Sequence, residues 1–222
     1  MPPFPFDVVA FDLDGTLADT AADLAAALNH ALGAMGRPLV PPESVRHLVG
    51  HGARALLRRG LATGGEATEA LVDEGFPHFI DYYAANICRG TRRYEGVEAA
   101  LDALAAEGAK LALCTNKPER LTRLLLEALG WDERFDSVVG GDTLAVRKPD
   151  PAPLHAAIAR AGGGTSAFVG DSITDADTAR AAGIPFVAVS FGFSDRPIAA
   201  LGADAVIDDY GRLVETLRRL GR

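Results

Sequence analysis

Two carboxylates stand two residues apart at the end of a short apolar run: Val8-Val9-Ala10-Phe11 leads into Asp12-Leu13-Asp14-Gly15-Thr16. In extended backbone, residues i and i+2 project to the same side, so this spacing directs both carboxyl groups into one small volume. Like charges held that close raise each other's pKa unless a cation lies between them, which points to a metal site, a shared proton, or both. A calcium loop does not fit, because the sixth position counted from Asp12 is Leu17, where an EF-hand needs glycine. An Asp-Gly step can also be an ordinary turn beside a solvated Asp. The rest of the chain decides between these readings.

Three further polar clusters follow apolar runs in the same way. Thr115-Asn116-Lys117-Pro118 follows Leu111 to Cys114, Gly140-Gly141-Asp142 follows Ser137 to Val139, and Gly170-Asp171-Ser172-Ile173-Thr174-Asp175 follows Ala167 to Val169. Taken singly, each reads as a turn or a helix cap; four together read as a site. Lysine adds to the pattern, since only 3 of the 22 basic residues are Lys, namely Lys110, Lys117 and Lys148. Lys117 and Lys148 each precede a proline at a predicted loop position, and a compact ammonium suits contact with a phosphate oxygen. Lys148 is the stronger candidate, whereas for Lys117 a solvated surface position is the ordinary expectation.

These clusters need strands to carry them and helices to cover the strands. From Asp19 to about Arg89 the chain has helical period. Thr20 with Asp23 reads as a capped helix start, Leu24, Leu28, Leu32 and Met35 recur along one stripe, and Gly36 supplies the stop. A short helix opens at Pro41-Pro42-Glu43, Gly50-His51-Gly52 interrupts it, and helix resumes from Ala53 to Arg59. A longer helix carries Phe76, Phe79, Tyr82 and Tyr83 as core residues, and Pro77 is expected to kink or divide it. From about Tyr94 strands alternate with helices, the pattern of a parallel sheet covered on both faces. The expected strands are Lys110 to Cys114, Ser137 to Val139, Ala167 to Val169, Pro185 to Val189, and Ala205 to Ile207, with helix stops at Gly108, Gly130 and Gly183. Ligands of open α/β sheets bind beyond the carboxyl ends of the strands, where the polar clusters fall.

The 222 residues are 48% hydrophobic, ample for a buried core, and carry a net charge of -8. An acidic chain is repelled by nucleic-acid backbones and anionic membranes, so neither is expected as a partner. The pairs Arg58-Arg59, Arg92-Arg93 and Arg218-Arg219 read as solvated faces. No run approaches the roughly 20 apolar residues of a membrane span, and no charged segment precedes the first apolar stretch. Of Cys88 and Cys114, the second closes an apolar strand and reads as a buried free thiol, which favours a reducing cytoplasm.

Asp12-Leu13-Asp14-Gly15-Thr16, Thr115-Asn116, Lys148-Pro149-Asp150-Pro151 and Gly170-Asp171-Ser172-Ile173-Thr174-Asp175, in that order, resemble the four motifs of the haloacid dehalogenase superfamily of phosphotransferases. Arg46 to Arg54, Thr115 to Pro118 and Gly140 to Leu144 are similar to the phosphoglycolate phosphatase group within it. Two stretches depart from that group, Tyr94-Glu95-Gly96 and Leu144-Ala145-Val146-Arg147, and neither touches a catalytic position.

The resemblance implies a Rossmann-like α/β core, residues 1–17 and 90–222, with an inserted α-helical cap, residues 18–89. It implies that Asp12 is a nucleophile forming an aspartyl-phosphate and that Asp14 is the general acid and then the base. It also implies Mg²⁺ held by Asp12, the Asp14 carbonyl and Asp171, with Asp175 supporting the metal shell, while Thr115, Asn116 and Lys148 grip the phosphoryl oxygens. Gly15 and Thr16 are expected at the substrate. So are Gly52 and Arg54, because a glycine-rich break leading into a helix start offers free N–H groups, beside a guanidinium, to a second anion. The expected partner is a small phosphorylated metabolite. Asp14 argues against dehalogenase and phosphonatase activity. A β-phosphoglucomutase-like isomerase or a non-catalytic phosphate-binding module remains open at this point.

Overall fold

The computed structural model describes residues 3–194 and 196–221. Its centre is a six-stranded sheet in the order β5-β4-β1-β6-β7-β8, formed by β1 (Val8–Phe11), β4 (Lys110–Cys114), β5 (Ser137–Val139), β6 (Ser166–Gly170), β7 (Phe186–Val189) and β8 (Ala205–Ile207). Every neighbouring pair is parallel. A parallel central strand is covered on both faces, which is why β1 is apolar without alternation. Val9 and Phe11 pack with Leu111, Leu113 and Val169 on one side, whereas Val8 and Ala10 pack with Ala112, Cys114 and Phe168 on the other. Helices α5 (Val97–Ala106) and α9 (Leu213–Leu220) cover the first side, and α7 (Ala152–Arg160) and α8 (Ile173–Ala182) the second. Burial pushes the Cys114 thiol up to about 12, and both cysteines are free.

A third apolar cluster lies outside the sheet. It joins α1 (Ala21–Ala34), α3 (Ala53–Thr63) and α4 (Glu69–Ala85) through Leu28, Leu57, Leu61, Val72 and Phe79, with Leu121 of α6 (Glu119–Ala128) reaching into it from the core. The one-turn helix α2 (Pro42–Val45) completes this unit. Pro77 does not divide α4, which runs unbroken through it.

Two features differ from the sequence reading where the chain passes between units. A two-residue antiparallel pair, β2 (Ala18–Asp19) with β3 (Arg92–Arg93), ties the two crossings together. Elements of two residues have no period to read. Thr20 and Asp23 do not cap α1: the Thr20 hydroxyl donates to Asp14 (2.7 Å), and Asp23 accepts from the Gly90 N–H (2.7 Å), the Thr91 N–H (2.8 Å) and the Thr91 hydroxyl (2.7 Å). Side chains with the right chemistry for a cap found partners of greater sequence separation.

Candidate active site

The ends of β1, β4 and β6 converge on one point, and each polar cluster arrives there by a different local device. After β1 the Asp12 N–H still bonds to Val169 (2.9 Å), but the next residues turn back, with the Leu17 and Ala18 N–H groups donating to the Leu13 carbonyl (2.9 and 3.2 Å). The two carboxylates line one cavity, and each has its own ammonium. Lys148 Nζ lies 2.9 Å from Asp12 Oδ1, whereas Lys117 Nζ lies 2.8 and 3.0 Å from the two oxygens of Asp14. Lys117 is thus not the solvated residue expected: it is buried, with its ammonium also donating to the Tyr83 hydroxyl (2.7 Å).

The β6 end is built around Asp175. Its Oδ2 accepts from the Ser172 N–H (3.1 Å) and hydroxyl (2.6 Å), forming a capping box at the start of α8, while its Oδ1 accepts from Lys148 (2.6 Å). Asp171 accepts from the Thr16 hydroxyl (2.8 Å) and the Phe193 N–H (2.6 Å). Thr16 is fully buried in that contact, so its hydroxyl orients Asp171 and is not offered to a substrate. Gly15 is required for a related reason: at φ +86° a Cβ would stand 2.4 Å from Asp171 Oδ2. One oxygen each from Asp12, Asp171 and Asp175 lie within 4.8 Å of one another, all buried. Hard oxygen donors so disposed suit a small divalent cation, and Asp12 Oδ1, which accepts no well-aligned hydrogen bond despite its ion pair, fits a ligand atom. The Asp14 side chain lies outside this triad, engaged by Thr20 and Lys117.

The electrostatics follow from burial. Burial pushes Asp12 up to about 6, with Lys148 opposing the rise and Asp175 adding to it. Asp171 is raised well above the carboxylate range by burial first, then by Asp175 and Asp12. For Lys148, burial works against the charge, but Asp12 and Asp175 outweigh it and hold the ammonium charged. Three carboxylates around one lysine leave an excess of negative charge that a divalent cation relieves.

The β4 end contributes Thr115 and Asn116, both buried and lining the cavity. The Asn116 amide donates to the Lys148 carbonyl (3.1 Å) and more weakly to that of Gly50 (3.4 Å), tying the lysine loop to the inserted unit. Gly52 also lines the cavity, with a Cβ position 3.1 Å from the Asn116 carbonyl. Gly140-Gly141-Asp142 belongs to structure and not to chemistry. A Cβ on Gly141 would stand 2.3 Å from the Asn116 carbonyl oxygen, and Asp142 accepts from the Glu119 N–H at the start of α6 (2.7 Å).

Arg54 is not brought to the site. Its guanidinium turns outward to Asp73 (2.5 Å) and Glu69 (3.4 Å) and lies over the Phe76 ring, bridging α3 to α4. Two carboxylates one helical turn apart on the neighbouring helix outcompete the cavity for it. The cavity itself, about 450 Å³ with its open mouth, is closed on the inserted side by apolar Leu24, Val49, Ala53, Leu56 and Phe79 together with Tyr83. Sequence reasoning missed Lys117 and Tyr83 as site residues. The scarcity of lysine was the available signal for the first, and nothing distinguished Tyr83 from a core aromatic.

A parallel sheet with acidic strand ends and a helical insertion is the architecture of haloacid dehalogenase-like hydrolases. That family's model matches residues 9–189, and the chain belongs to the family. It is 45% identical over 210 residues to a phosphoglycolate phosphatase of Agrobacterium fabrum, covering 93% of this chain and 90% of that one. It is 44% identical over 216 residues to the Rhodospirillum rubrum phosphoglycolate phosphatase, covering 94% and 90%. The crystal structure of a predicted phosphoglycolate phosphatase from Haemophilus somnus matches with a TM-score of 0.89 at 34% identity, covering 96% of this chain and 98% of that one. Within the family, then, the chain is a phosphatase, similar to these phosphoglycolate phosphatases. Among the described residues no helix is long and apolar enough to cross a membrane.

Proposed function

We propose that this phosphatase hydrolyses a small phosphate monoester, 2-phosphoglycolate before others, with Mg²⁺ and through an aspartyl-phosphate on Asp12. The observation that carries the reading is the placement of Asp12: buried at the end of the central strand, 2.9 Å from Lys148, with Asp171 and Asp175 close enough to share a cation. A carboxylate is a serviceable nucleophile because it is ionised near neutral pH and its acyl phosphate hydrolyses readily.

Asp12 forms a bond to phosphorus as the ester P–O bond breaks, and the departing alkoxide takes a proton from Asp14. Asp14, now ionised, accepts a proton from the water that attacks the aspartyl-phosphate, which restores Asp12 and releases inorganic phosphate. Lys148, the Thr115 hydroxyl and the Asn116 backbone N–H grip the phosphoryl oxygens. Asp12, Asp171 and the Asp14 carbonyl would hold Mg²⁺, with Asp175 steadying both Lys148 and the loop; bound there, the cation neutralises phosphoryl charge against that of the carboxylates. Residues 18–89 act as a cap over a core of residues 1–17 and 90–222, and the protein works in the cytoplasm, which suits two free thiols.

The substrate assignment draws on what the relatives are called and on the apolar lining of the cavity's cap side, which offers few partners to a polyhydroxylated ester. Phosphate release from a panel of small esters tests it. The highest kcat/KM is expected for 2-phosphoglycolate. Conversion of a sugar monophosphate to a positional isomer without phosphate release would replace a hydrolase by an isomerase.

A further inference from the structure

Lys117 and Tyr83 take no part in the chemistry just described, yet they are among the most expensively placed polar groups in the molecule. A buried ammonium is costly unless all its donors are used. Lys117 uses all three: Asp14 Oδ1 at 2.8 Å, Asp14 Oδ2 at 3.0 Å and the Tyr83 hydroxyl at 2.7 Å. The Asp14 carboxylate is consequently gripped at both oxygens by one lysine and at Oδ1 again by the Thr20 hydroxyl (2.7 Å), so neither its torsion nor its plane is free. The three partners come from three places, the loop after β1, the loop after β4, and α4 in the inserted unit. Tyr83 is itself buried, and its ring also lies 4.5 Å from the ammonium.

We infer that Lys117 and Tyr83 are positioning residues for Asp14: Lys117 aims the carboxyl group at the leaving oxygen, and Tyr83 completes the lysine only when α4 is seated on the core. The inference rests on the reading of Asp14 as proton donor to the leaving group. It differs from a purely structural buried pair in one respect, because a misaimed donor harms esters in proportion to how much their leaving group needs protonation.

Phenyl phosphate and 4-nitrophenyl phosphate have similar shapes and very different leaving-group acidities, so their kcat/KM ratio reads donor alignment. In Lys117→Met the phenyl ester is expected to lose roughly tenfold more than the nitrophenyl ester, and in Tyr83→Phe roughly threefold more. Equal losses on both esters, or no loss on either, overturn the inference. Asp14→Asn is the control. If its losses are equal on the two esters, the donor reading itself fails; if they are ester-selective while those of the other two variants are not, only the positioning role fails. Should Lys117→Met not fold, Tyr83→Phe decides alone, since it removes a single oxygen.

Discussion

The strand ends of the core and the outer faces of α3 and α4 both carry dense charge, and the charge does different work in each. Asp12, Lys148, Asp171 and Asp175 are all 5% exposed or less, and their contacts run from 2.6 to 2.9 Å across elements distant in sequence. Arg54, Arg58, Glu69 and Asp73 form pairs of comparable length with side chains 34 to 65% exposed. An exposed pair is screened and contributes little, so such residues can be exchanged at small cost. A buried cluster bears heavy desolvation and needs every partner it has. At the strand ends those partners are other charges crowded into one cavity, whereas at the seam between helices they are solvent-screened pairs.

The contrast breaks most sharply at Asp12. Asp12→Asn keeps the volume and removes the nucleophile, so turnover should fall roughly a thousandfold or more with folding intact; appreciable activity in a homogeneous preparation would end the covalent mechanism. Lys148→Met comes next, because it leaves Asp12 and Asp175 facing each other without a cation. A destabilisation on the order of 3 kcal/mol or more is expected at neutral pH by urea titration. It should shrink at pH 5, where Asp12, already pushed up to about 6, takes a proton.

Metal and pH act on the same buried carboxylates. With its folded pKa above the unfolded value, Asp12 favours folding while protonated, and in metal-free protein that advantage is lost as pH rises from about 4 to about 6. Mg²⁺ should offset the ionised carboxylates, so the gain in Tm over EDTA should be larger at pH 7.5 than at pH 5 by differential scanning fluorimetry. A constant gain would place the cation elsewhere. The smallest effect belongs to the seam: Arg54→Ala should change kcat/KM for 2-phosphoglycolate and for an aryl phosphate by less than about threefold. A tenfold loss confined to phosphoglycolate would mean that the guanidinium leaves Asp73 and turns inward during turnover.

The parallel sheet was readable because its strands are continuous apolar runs ending in polar clusters, and all six strands end within a residue of where the runs end. Asp12, Lys148, Asp171 and Asp175 were readable as candidates through motif spacing. What eluded sequence reading were contacts made over long separations. The Thr20 hydroxyl and Asp23 have the chemistry of a helix cap and serve the neighbouring loops instead. Arg54 has the chemistry of an anion ligand, but its direction is fixed by Glu69 and Asp73, more than a dozen residues later. Lys117 looked like surface because nothing local announces that Tyr83 and Asp14 will close over it.

Asp23 carries one more consequence. By taking N–H groups from Gly90 and Thr91 beside the β2–β3 pairing, it fastens the outgoing and returning crossings to each other. Two separate tethers would let the inserted helices twist and drift as well as tilt, with much conformational entropy to recover at each encounter with the core. Fastened crossings remove part of that freedom, so less entropy is lost in holding the wall that bears Tyr83 against the strand ends.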